Sequence, residues 1–305
     1  MTLKIASLLP SATEIVAALG AFDELVARSH ECDFPDGVER LPVLTEAKID
    51  ASGSSADIHA RMESAARDAL SVYRVDVEHM RRLAPDVVVT QAQCEVCAVS
   101  EDDVCAVLAG WDGVAPRLVS LKAENLAGVY DDIRAVAEAL GRGDAGVAAA
   151  AAMEDRIRRI ALAASDATWK PRVLVIEWIE PLMAGGNWMP ELVQLAGAEN
   201  LLSVAGKHSP WINWEAIRAA DPDAILVAPC GFDIDRSLAD IPTLTSRPGW
   251  DDLAAVCAGR VAIADGNAYF NRPGPRLVET LEILAEFLHP KVFDFGHEGR
   301  TFRRL

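Results

Sequence analysis

Short apolar runs of strand-forming residues alternate with amphipathic stretches of helical spacing along nearly the whole chain. That alternation limits the possible folds more than any other feature. Successive strands separated by helices pair in parallel, and a parallel sheet needs helices over its faces. Strand-like runs fall at 3–9, 25–29, 87–90, 117–121, 172–177, 224–228 and 260–264. Helical stretches fall at 11–20, 57–69, 76–83, 100–108, 125–140, 147–164, 189–196, 214–220, 250–255 and 275–288, and the last 15 residues read as irregular. Ser11 with Glu14 has capping-box spacing, and Gly20 suits the end of that helix.

The alternation runs twice. An N-terminal α/β lobe is expected over 1–142 and a C-terminal one over 168–305, joined by one long helix at 143–167. The predicted fold class is therefore α/β, with two lobes of parallel sheet flanked by helices. In open sheets of this kind ligands bind beyond the carboxyl ends of the strands. The residues just after each strand are thus the candidates for function, around a cleft shared by the lobes.

Composition narrows the classes of partner. The 305 residues are 51% hydrophobic and 25% charged, enough to build real cores. The net charge of −17 and the lack of a Lys/Arg cluster argue against nucleic acid as a partner. No run is long and apolar enough to predict membrane insertion. The apolar stretch from Ile5 to Ala21 is broken by Pro10, Ser11, Thr13 and Glu14, unlike a secretory signal, so a cytoplasmic location is expected, or a periplasmic or extracellular one if a signal has been removed.

Six cysteines do not make a disulfide scaffold at this length. Cys105 and Cys257 lie on apolar helical patterns and are expected in the core. Cys32, Cys94, Cys97 and Cys230 all fall just beyond predicted strands. Cys94 and Cys97 form a Cys-x-x-Cys, which suits either a dithiol or a pair of metal ligands. His30 and Glu31 stand beside Cys32, so a metal ion held by Cys and His is one reading of the set.

Other strand ends carry binding chemistry. Ser11 at a helix start can cap the helix or meet an anion. Glu177 and Trp178 follow one strand, and Asn187 and Trp188 follow a Gly185-Gly186 pair that permits close backbone approach. Trp178, Trp188 and Trp211 offer flat faces for a large ring, Tyr269 lies in the last strand-end loop, and Arg272 suits a polar or anionic side group. The chain has no G-x-S-x-G, H-E-x-x-H or Walker A sequence, so binding is favoured over catalysis.

The opening Ile5-Ala6-Ser7-Leu8-Leu9-Pro10-Ser11-Ala12-Thr13-Glu14, with Pro248-Gly249-Trp250 and Arg272-Pro273-Gly274-Pro275-Arg276-Leu277, resembles class III periplasmic-binding proteins of the helical-backbone type. His30-Glu31-Cys32-Asp33-Phe34-Pro35, Cys94-Glu95-Val96-Cys97, Gly186-Asn187-Trp188-Met189-Pro190 and Pro229-Cys230-Gly231-Phe232 are similar to a cysteine-containing subgroup labelled cobalamin-binding. The resemblance implies a large metal-containing or ring-bearing ligand held between the lobes, cobalamin first, with siderophore or haem as others. It implies an ABC permease as partner if the chain is exported. The alternative reading is a metal-site or thiol-redox protein using Cys94 and Cys97 with Cys32 or Cys230.

Overall fold

The computed structural model describes residues 2–67, 73–92, 104–105, 108, 110–111 and 113–305. The chain forms two compact units, one of Met1–Gly53, Ala60–Ala123 and Ala127–Ala152, the other of Ser54–His59, Glu124–Leu126 and Met153–Leu305. The predicted α/β class is what the structure shows, with parallel sheets flanked by helices. Among the described residues no helix is long and apolar enough to cross a membrane.

The first unit is built on a four-stranded sheet in the order β2-β1-β5-β6, with β1 at Ile5–Ser7, β2 at Leu25–Ala27, β5 at Val87–Gln91 and β6 at Arg117–Leu121. All its pairings are parallel, for instance Ile5 with Val87 and Val89 with Val119. The central strands are buried on both faces, which is why their sequences are unbroken apolar runs rather than alternating ones. Ala6, Leu8, Ala27, Leu44, Met80 and Val88 share one core cluster. The chain leaves β1 towards one edge of the sheet and β5 towards the other, so the β1/β5 boundary is the topological switch point. A two-stranded antiparallel ribbon, β3 at Thr45–Ala47 with β4 at Tyr73–Val75, was not foreseen.

The second unit repeats the plan on β12-β11-β10-β7-β8, with β9 also on β7. Here β7 is Arg172–Trp178, β8 Met183–Ala184, β9 Glu199–Asn200, β10 Ala224–Val227, β11 Val261–Ala264 and β12 Phe302–Arg304. Its core joins Leu174, Ile176, Ile225, Val227, Val261 and Ile263 of the sheet to Trp214, Trp250 and Leu244 of its cover. Burying each large side chain contributes about 1.5–3 kcal/mol. The switch point lies between β7 and β10.

Capping explains several boundaries. The Asp76, Asn213 and Asp233 side chains accept the N–H of His79, Ala216 and Arg236, fixing the starts of helices Val77–Leu83, Trp214–Ala220 and Ile234–Asp240. Helix Gly143–Ser165 is continuous for 23 residues and supplies residues to both units.

Four expectations need correction. The first helix, Pro10–Ala18, starts one residue before Ser11, because Pro10 fits the first turn and Leu9 takes the cap position. The segment predicted helical at 250–255 is helical only at Ala254–Cys257, since Trp250 packs into the core ahead of it. The C-terminal residues are not all irregular: β12 pairs antiparallel with β11. Cys105 and Cys257 are exposed rather than in the core, Cys257 because it ends the four-residue helix Ala254–Cys257.

Candidate functional site

In the first unit, the loop after β2 is shaped by Arg28. Its guanidinium donates to the carbonyls of Ser29 at 2.9 Å and Cys32 at 3.2 Å, so the loop closes around one cation. His30 is half-buried, and Thr45 of β3 holds it twice. Thr45 Oγ1 accepts the His30 backbone N–H at 3.0 Å and lies 2.7 Å from Nδ1. Thr45 Oγ1 also lies 2.9 Å from Ser29 Oγ, so the ring, the threonine and the serine form one hydrogen-bonded chain. Burial, followed by the nearby Arg28 charge, lowers the His30 pKa and keeps the ring neutral. Glu31 accepts the Tyr73 hydroxyl at 3.0 Å, and the Tyr73 ring lies 5.6 Å from the imidazole. Cys32 is buried, and its Sγ accepts the Thr13 hydroxyl at 3.1 Å. The unforeseen β3–β4 ribbon thus supplies both residues, Thr45 and Tyr73, that fix the predicted pair His30 and Glu31.

Ser11 is 2% exposed and lies inside the first turn of helix Pro10–Ala18. Its Oγ makes no hydrogen bond with any described residue. Cys94 and Cys97 lie outside the described residues. Among the described residues, no three His, Cys, Asp or Glu side chains stand together as a metal-holding group.

In the second unit, the carboxyl ends of β7 and β10 are tied together. The Cys230 N–H donates to the Glu177 carbonyl at 3.1 Å, and the Trp178 ring meets Phe232 edge-on at 5.3 Å. Trp178 Nε1 donates to the Glu180 carbonyl at 3.1 Å, which sets the plane of the indole. The Glu177 carboxylate accepts the Ser209 hydroxyl at 2.8 Å, and Ser209 Oγ accepts the Gly186 N–H at 3.0 Å. The paired glycines do permit close approach, but to the chain's own backbone. A Cβ on Gly186 would lie 2.4 Å from Ser209 N. Asn187 takes a left-handed backbone, φ 51°, and donates its N–H to the Lys207 carbonyl.

The three tryptophans separate. Trp188 is 7% exposed and donates Nε1 to the Phe270 carbonyl at 3.1 Å, so it packs within the unit. Trp211 is 57% exposed, with His59 edge-on at 5.1 Å. Trp178 is half-buried and pairs with Met183 of β8, which in turn bridges to Trp211. Paired residues in an antiparallel ladder share a face and stand side by side. Trp178, Met183 and Trp211 therefore form one row, about 10 Å from end to end at ~4.8 Å per strand. Ile176 and Ala184, the preceding pair, are fully buried. Sequence reasoning found both indoles and missed Met183. The Glu180-Pro181 turn between Trp178 and Met183 was the signal that could have suggested a hairpin.

Arg272 is 5% exposed and donates Nη2 to Asn267 Oδ1 at 3.1 Å. Tyr269 sits in the tight turn Gly266–Phe270, where the Arg276 guanidinium lies 5.3 Å from its ring.

Comparison with known proteins comes after this geometry. The chain is 26% identical over 297 residues to the uncharacterized ABC transporter substrate-binding lipoprotein YvrC of Bacillus subtilis, covering 95% of this chain and 81% of that protein. It is 27% identical over 172 residues to a cobalamin-binding protein of Halobacterium salinarum, covering 55% of this chain and 45% of the relative. Its fold matches a periplasmic haem-binding protein from Pseudomonas aeruginosa with a TM-score of 0.71 at 22% identity, over 100% of this chain and 98% of the other. The family described as periplasmic binding protein matches residues 5–268, and the chain belongs to that family.

Proposed function

We propose that the chain binds a large, ring-bearing, metal-containing small molecule, a corrinoid such as cobalamin first and haem or a ferric siderophore next, as the substrate-binding component of an ABC transporter. The row Trp178–Met183–Trp211 carries this reading. Two indoles with a thioether between them make a polarizable, apolar strip, open to solvent at the Trp211 end. Such a strip suits the face of a flat macrocycle and offers little to a small ion. Independently of that row, the first unit carries His30, a half-buried imidazole of the type that ligates metal centres. The names of relatives agree in kind: one is a cobalamin-binding protein and one a haem-binding protein. The partner in this reading is an ABC permease. Anaerobic titration with cyanocobalamin, dicyanocobinamide, haemin and a ferric siderophore tests it, read by visible absorbance and tryptophan quenching. A saturable response to at least one is expected. Silence towards all four would remove the reading.

A further inference from the structure

The first turn of helix Pro10–Ala18 lacks the usual means of satisfying its N–H groups. The first N–H groups of a helix have no intrahelical acceptor and are normally met by a side chain at the cap. Here the cap residue is Leu9, which offers no polar side chain, and no side-chain cap bond forms. Pro10 has no N–H, so the donors left open among the described residues are those of Ser11 and Ala12, while the Thr13 N–H reaches the Leu9 carbonyl at 3.3 Å. Ser11 adds a third polar group at the same place. In a helix the Cα–Cβ bond tilts towards the N-terminus, so Ser11 Oγ is carried back over the open N–H groups. That oxygen is 98% buried by residue and has no hydrogen bond among the described residues. A buried hydroxyl without a partner destabilises the fold that holds it.

The neighbouring polar groups do not serve it. The Thr13 hydroxyl lies 2.8 Å from Ser7 Oγ and 3.1 Å from Cys32 Sγ, and the Ser7 hydroxyl donates to the Leu9 carbonyl at 3.0 Å. Buried Glu14, one turn on, has interactions of its own. The turn stands at the carboxyl end of β1, beside the β1/β5 switch point.

We infer that Ser11 Oγ and the Ser11 and Ala12 N–H groups form an oxygen-acceptor subsite of the first unit, built for a carboxylate or carboxamide group of a ligand. The three donors stand on the same first turn, and the partial positive end of the helix favours an acceptor oxygen there. The subsite belongs to the first unit and does not depend on the ligand proposed for the second.

Acetate and acetamide are the probes. The full chain is titrated with each, and the Ser11 and Ala12 amide resonances are followed by two-dimensional NMR, with thermal unfolding measured alongside. Saturable shifts of both amides are expected, with acetate, acetamide or both, the pattern naming the preferred group. Ser11→Ala is expected to weaken that binding about tenfold and to raise the unfolding midpoint of the free protein, because it deletes an unpaired buried hydroxyl. Ser11→Thr, which keeps the hydroxyl, is expected to retain the response. Absence of shifts with both probes overturns the inference. So does a Ser11→Ala variant that binds as the wild type does or unfolds at a lower temperature.

Discussion

Trp178 and Trp211 flank Met183 in a single row across three strand segments of the second unit, although Trp178 and Trp211 lie far apart in the chain. Their different exposures make the row testable. Trp211→Ala removes an exposed indole and is expected to leave stability within about 0.5 kcal/mol. Trp211→Ala and Trp178→Ala are each expected to weaken haemin or cyanocobalamin binding by about 1 kcal/mol, roughly fivefold. Trp188→Phe is the control: it breaks the bond to the Phe270 carbonyl, costs about 1 kcal/mol of stability and leaves affinity unchanged. Fluorescence titration and urea unfolding separate the two effects. Unchanged affinity in both row variants would count against the platform.

Two glycines near the β10 end differ in what an added methyl meets. At Gly266 a Cβ would lie 2.1 Å from the Pro229 carbonyl oxygen and 2.7 Å from the Ala228 carbonyl carbon, both backbone atoms. At Gly231, φ 74°, nothing lies within 4 Å and only the left-handed backbone opposes a side chain. Gly266→Ala is expected to cost about 3 kcal/mol or more by forcing backbone apart. Gly231→Ala is expected to cost about 1–2 kcal/mol, the left-handed penalty alone. Denaturant unfolding of both variants checks the order, and the reverse order would refute it.

Asp132 is buried in helix Leu126–Ala139 and accepts the backbone N–H groups of Lys122 at 3.0 Å and Ala123 at 2.9 Å, just after β6. Burial raises its pKa to about 6 against those bonds. The folded value lies above the unfolded one, so the stabilisation is full at acid pH and is lost as pH rises through about 6. Asp132→Asn is expected to flatten the dependence of unfolding free energy on pH between about 4 and 6.5. Urea midpoints across that window, wild type against variant, provide the measurement. Parallel curves would show that Asp132 does not govern it.

His30 behaves in the opposite sense. Its folded pKa is lowered, so its contribution is present at neutral pH and is lost as pH falls below the ordinary imidazole value. His30→Gln is expected to reduce the loss of stability on acidification below about pH 6.5. Thr45→Val keeps the shape but leaves the His30 N–H without its acceptor, and is expected to cost about 1–3 kcal/mol. Imidazole titration by NMR in the Thr45→Val variant is expected to show a changed His30 midpoint. An unmoved midpoint would mean that Thr45 does not orient the ring.

Much of the fold was legible because it is local. The buried runs at 87–90 and 224–228 could only be covered strands, and the apolar stripe of Leu277–Leu288 could only be a packed helix. The site was legible by residue type at strand ends: His30, Trp178, Glu177 and Cys230 all stand there. Their partners were not. Thr45 and Tyr73 belong to three-residue strands too short to show a period. The Ser11–Glu14 spacing imitated a capping box, but Pro10 is compatible with the first turn and moved the start.

By itself the sequence determined that this chain builds parallel sheets under helices and sets its polar and aromatic chemistry at their carboxyl ends. Those facts follow from unbroken apolar runs and from the helical period of 3.6 residues, both of which act between near neighbours. Only the tertiary structure decided that Met183 lies between two indoles, that Trp188 turns inward and that Ser11 Oγ has no partner among the described residues. Strand pairing and burial depend on contacts between residues remote in sequence, and no local pattern encodes them.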